Sequence, residues 1–162
     1  MTALKQSDYS ILREGTKFNG YLGPFLVVGL RMGLIGLREL KTGGTNFDLQ
    51  AITIVEQKTP FSCTIDGIQV ATHCTVVNGK LMLKDKADII SAIFKTSDGR
   101  QVTISLKSTK YEELIKGLAK DCESCKNIQL AKEIASSPEE ELFIIEKSDN
   151  SCKPTWSLPK RD

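Results

Sequence analysis

The sequence predicts an α+β fold in which helices cover one face of a sheet. Three observations carry this: a long apolar helical pattern opened by Gly-Pro near the N-terminus, a later group of β-branched segments divided by turn residues, and the element order of helix, helix, strand, helix and then several strands. At 162 residues the chain can bury a single core, read as one domain over residues 1–147 with a C-terminal tail, 148–162.

Residues 3–18 predict a short amphipathic helix that ends near Gly15, with Leu4, Tyr9, Ile11 and Leu12 facing inward. In "GPFLVVGLRMGLIGLREL", Pro24 suits the first helical position, because its missing N–H would be unpaired there in any case. That helix is expected to run to about Leu40 and to stop at "KTGG", where glycine can take a positive φ. Gly29, Gly33 and Gly36 recur along it at i, i+4 and i+7. Each costs about 1 kcal/mol of helix propensity relative to alanine, so the stripe needs a compensating close approach, either of a packed element or of a ligand.

"FDLQAITIVEQ" reads as a strand by its β-branched content, and "PFSCTIDGIQVATHCT" as a short helix beginning after Pro60. The strands "KLMLKD", "DIISAIFKT" and "QVTISLKS" follow, the last two joined across "SDG" as a hairpin. A long charged helical segment, 109–135, comes next, with Ser108 or Thr109 as N-cap and Glu112 close to a capping-box position. A last short helix starts at Ser137-Pro138, and the chain returns as a strand from Phe143 to Glu146.

Twenty-two basic against twenty acidic residues give a net charge of +2, and no basic run is long enough to track a phosphate backbone, which argues against nucleic acid as a partner. The first twenty residues carry charges and no apolar h-region, so the expected location is cytoplasmic. Leu22 to Leu37 is apolar apart from Arg31 but only sixteen residues long, a buried helix in place of a membrane span.

His73 is the sole histidine, which removes two-histidine zinc motifs and leaves hydrolase triads without support. On the 63–74 helix, Cys63, Asp66, Gln69 or Val70 and His73 follow one another at i+3 or i+4, so a thiol, a carboxylate and an imidazole share a stripe. These types can ligate metal, yet a continuous helix would hold Cys63 and Cys74 roughly 16 Å apart, so one of the two must act elsewhere. The alternative is packing: a buried cysteine acting as a small apolar filler and a histidine closing a helix. Cys122 and Cys125 form a C-x-x-C inside a charged helical pattern, and Cys152 could add a third thiolate, with Asp149 or a second copy of the chain needed for a fourth ligand.

Together, "FNGYLGPFLVVGLRMGLIGLREL" and "SCTIDGIQVATHCTVVNGKLMLKD" resemble the FmdE (FwdE) family of proteins that accompany formylmethanofuran dehydrogenases. Its members open with Phe-His-Gly-His-x-Cys-Pro and a helix containing Gly-x-Arg-Met-Gly, followed later by Cys-x-x-Asp-Ala-Ile-Gln, Gly-Cys-Thr and Gly-Lys-Gly-Asn-Leu. Phe18, Gly20, Pro24, Gly29, Arg31, Met32 and Gly33 match the first block, and Cys63, Asp66, Ile68, Gln69, Cys74, Thr75, Gly79 and Leu81 the second, so the likeness covers about Tyr9 to Ser108. The departures fall on the ligand cluster: Asn19 and Tyr21 replace its histidines, Gly23 its cysteine, and His73 stands where the family has glycine. A C-terminal zinc ribbon, frequent in the family, has no counterpart after Glu146.

The resemblance implies an α+β domain with a mixed sheet, similar to a GAPDH-like domain, commonly assembled as a homodimer. It implies a metal site of Cys63, Asp66 and Cys74, to which His73 could restore a ligand, with zinc or iron as the expected divalent ion. The leading expectation is an accessory protein that takes a metal or a small anionic cofactor in a pocket between the 18–24 turn and the 63–74 helix. Asn19, Tyr21, Arg31 and Gln69 would contact the ligand there, Arg31 supplying the charge. The alternatives are a metal-dependent enzyme using Cys63, Asp66, His73 and Cys74, and a structural component of a larger oxidoreductase complex. Because helix 24–40 is apolar nearly all round, it must be buried all round, and a second copy of the chain is expected to cover part of it.

Overall fold

The computed structural model describes residues 4–5, 8–42, 48–118 and 123–148. Among these residues five strands form one mixed sheet in the order β2-β1-β3-β4-β5. They are β1 (Gln50–Val55), β2 (Leu81–Asp85), β3 (Ile90–Lys95), β4 (Gln101–Leu106) and β5 (Phe143–Ser148). The helices are α1 (Tyr9–Asn19), α2 (Pro24–Glu39), α3 (Cys63–Thr72), α4 (Ser108–Leu118), α5 (Glu123–Ser136) and α6 (Glu139–Leu142). The α+β class is therefore as expected, and β1 and β2 pair in parallel, joined through α3 as a βαβ crossover.

Register follows the alternation of side chains. Ala51, Ala92, Val102 and Phe94 point to the same face as Val55, Ile90, Ile104 and Leu106, and all join the core beneath the helices. The expected turn between β3 and β4 is present: Thr96 N–H donates to Arg100 O at 3.0 Å, and Gly99 takes φ +89°.

α2 is the centre of the helical layer. Every residue from Pro24 to Gly33 is buried, as are Ile35 and Gly36, within one chain. α1 packs Gly15 over Leu30, α3 meets Gly29 and Gly33, the sheet presents Phe94 to Gly36, and α5 receives Arg31. The glycine stripe is thus helix and sheet packing, and no second copy of the chain is needed to cover α2.

Three details differ from the sequence reading. α1 passes through Gly15, which is buried against Leu30, and stops at Gly20 with φ +87°; its expected inward residue Tyr9 is 49% exposed. α2 ends at Glu39 with Leu40 as its cap, as expected, but glycine does not close it: Lys41 takes the left-handed conformation, φ +54°, and Thr42 N–H donates back to Leu37 O. The 109–135 segment forms two helices, α4 and α5, in place of one. No helix among the described residues is long and apolar enough to cross a membrane.

Candidate functional site

α1 and α3 lie side by side, both against α2, and the 20–23 turn carries the chain from α1 into α2. Asn19, the last residue of α1, donates from Nδ2 to Tyr21 O at 2.9 Å and also hydrogen-bonds the Cys63 thiol at the start of α3. Asn19, Tyr21 and Cys63 therefore do come together. A Cβ on Gly23 would lie 3.0 Å from the Tyr21 ring, so the tyrosine occupies the room that a side chain at position 23 would need. Burial pushes the Cys63 thiol up, with the Asn19 hydrogen bond opposing, so at neutral pH it is a thiol and not a thiolate.

One turn further along α3, Gln69 Nε2 donates to Asp66 Oδ1 at 3.3 Å. Burial raises the Asp66 carboxyl above its ordinary range and this hydrogen bond partly offsets it. The Asp66–Gln69 pair and Cys63 share the stripe that the sequence predicted.

His73 and Cys74 leave it. His73 closes α3 in the left-handed conformation, φ +61°, with its N–H donating to Gln69 O at 2.8 Å and its carbonyl accepting from Asn78 Nδ2 at 2.8 Å. Histidine is among the residues that tolerate this conformation, and glycine tolerates it best. The chain then turns inward, and Cys74 is buried with its Sγ directed at Leu49 O, 3.5 Å away. Its thiol is also pushed up by burial.

The predicted metal set of Cys63, Asp66, His73 and Cys74 is thus not assembled: its members lie at opposite ends of α3, one of them in the core. Among the described residues no three His, Cys, Asp or Glu side chains are grouped to hold a metal ion. Cys122, Cys152 and Asp149 lie outside the described residues, as does the side chain of Cys125.

Arg31 is not in this region either. It is 3% exposed, and its Nη1 donates to Ile134 O at 2.7 Å and to Ser137 O at 2.5 Å, at the C-terminal end of α5. Burial lowers the guanidinium pKa, with Glu139 and then Glu140 opposing, and the group remains charged. Its role there is to satisfy carbonyls that the end of a helix leaves unpaired.

What α1 and α3 do form is a groove of about 330 Å³, lined by Glu14, Phe18, Gln69, Val70, His73 and Thr75. Gln69 and His73 belonged to the predicted site; Glu14, Phe18, Val70 and Thr75 did not. Glu14 and Phe18 are spaced i, i+4 on one face of α1. That spacing is the signal that would have found them, had the helix not been expected to end near Gly15.

The family model for FmdE, described as that of the molybdenum formylmethanofuran dehydrogenase operon, matches residues 18–144. A probable S-adenosyl-L-methionine-binding protein from Archaeoglobus fulgidus is 31% identical over 100 residues, an alignment that takes in 58% of this chain and 26% of that protein. This chain accordingly spans only about a quarter of that relative's length. The chain belongs to the FmdE family.

Proposed function

From membership of the FmdE family we infer an accessory role beside an oxidoreductase, exercised by binding a small organic molecule in the groove between α1 and α3. The observation that carries this reading is the groove itself, an opening of about 330 Å³ between Glu14 and Phe18 on α1 and Gln69, Val70 and His73 at the end of α3, set back from the 20–23 turn, none of whose residues lines it. A concave, partly apolar opening with a few convergent polar groups is the usual form of a small-molecule site. The metal-enzyme alternative has less support, because the donor set it requires is divided between the surface and the core.

Native mass spectrometry of the protein purified from its own cells tests the reading. The expected result is a bound small molecule in the wild type that is lost from Val70→Trp, whose side chain fills the groove. A wild type that carries no adduct, or an adduct retained in a folded Val70→Trp variant, would overturn it.

A further inference from the structure

Resting on the reading of the α1–α3 groove as the binding site, we propose that its ligand is an organic cation, an amine or quaternary ammonium attached to an apolar body. No lysine or arginine lines the groove, and the arginine that could have received an anion, Arg31, is buried against α5. Glu14 contributes a carboxylate, and among the described residues it forms no ion pair. Phe18, one helical turn away on the same face, is 60% exposed, an unusual exposure for a phenylalanine.

An exposed ring beside a carboxylate is the combination that attracts a positive charge, because the negative face of the π-system and the anion act in the same direction. Across the groove, Val70 supplies apolar contact for the body of the ligand, and Gln69 and Thr75 offer neutral hydrogen-bonding groups. An anion would meet the Glu14 carboxylate with no lysine or arginine among the lining residues to compensate, and with His73 at the end of α3 as the one imidazole in the lining. Lys17, next to Phe18 on α1, is exposed but is not part of the lining.

The test uses the full chain, labelled with nitrogen-15, and three probes of similar size: benzyltrimethylammonium, benzyl alcohol and phenylacetate. Benzyltrimethylammonium is expected to shift the amide signals of Phe18, Gln69, Val70 and His73 and to bind at least about threefold more tightly than benzyl alcohol. Glu14→Gln, an exposed helical change that should leave the fold intact, is expected to weaken the cation about fivefold more than it weakens the alcohol. If phenylacetate or benzyl alcohol binds as tightly as the cation, or if Glu14→Gln leaves cation binding unchanged, the cation inference is overturned while the groove stands. If none of the three shifts the groove amides, the reading of the groove as a binding site falls, and the inference with it.

Discussion

Gly29 of α2 and Gly67 of α3 oppose each other at the crossing of the two helices, each set into the other's backbone. A Cβ on Gly29 would lie 2.1 Å from Thr64 O, and one on Gly67 would lie 2.4 Å from Leu26 O and 2.8 Å from the carbonyl carbon of Gly29. Neither clash can be relieved by rotating a side chain, since the atoms met belong to the main chain. This contact fixes α3 against α2, and through α3 it fixes one wall of the groove.

Gly29→Ala is therefore expected to destabilise the protein by about 3 kcal/mol or more, beyond the usual cost of overpacking, despite alanine's better helix propensity. Gly33→Leu should likewise unfold the chain, because a Cβ there already comes within 2.5 Å of the Ala71 Cβ. Urea denaturation measures the first. For the second, sedimentation equilibrium alongside circular dichroism separates loss of fold from loss of assembly. A well-folded Gly33→Leu protein that had merely changed its oligomeric state would show that the glycine stripe serves an interface and not this helix crossing.

Arg31→Met should cost about 3 kcal/mol, since it removes two charge-assisted hydrogen bonds and leaves the Ile134 and Ser137 carbonyls buried or half-buried without that donor. Arg31→Lys should recover part of the loss, as a lysine cannot reproduce the guanidinium's forked geometry. Neither variant should alter binding of benzyltrimethylammonium in the groove. A selective loss of ligand affinity at unchanged stability would return Arg31 to the binding site.

The two described thiols give a pH dependence of defined sign. Burial raises both Cys63 and Cys74 above the ordinary thiol value, so the folded protein holds protons that the unfolded chain has released. Their contribution to stability is thus full below the unfolded thiol pKa, about 8.5, and is lost as pH rises through the folded values. Denaturation midpoints measured at pH 8 and pH 10 should fall more in the wild type than in Cys74→Ala. The same cysteines should be irrelevant to any metal that the protein carries: elemental analysis of Cys63→Ser/Cys74→Ala is expected to match the wild type, and a drop in metal content would show that the two do share an ion.

Periodicity and punctuation in the sequence determined the elements. Pro24 placed the start of α2, the β-branched runs placed the strands, and Asp98-Gly99 placed the β3–β4 turn, because each of these rests on interactions within a few residues. The family was legible for a related reason: its residues recur in fixed order and spacing, and a family match over residues 18–144 needs nothing beyond the chain itself.

Which residues share a site was a different matter, because a side chain's partners are set by elements distant along the chain. The sequence placed Arg31 on an apolar helix but could not show that the end of α5, more than a hundred residues later, would claim its guanidinium. It placed Cys74 one residue after His73, yet the left-handed turn at His73 sends one outward and the other against Leu49. It showed three glycines on α2 without showing whether α3, the sheet or a second copy filled the space they leave. The tertiary structure decided each of these by a separate long-range contact: α5 on Arg31, Leu49 on Cys74, and for the glycines the backbone of α3 at Gly29 and the ring of Phe94 at Gly36, contacts that exist only once the elements have met.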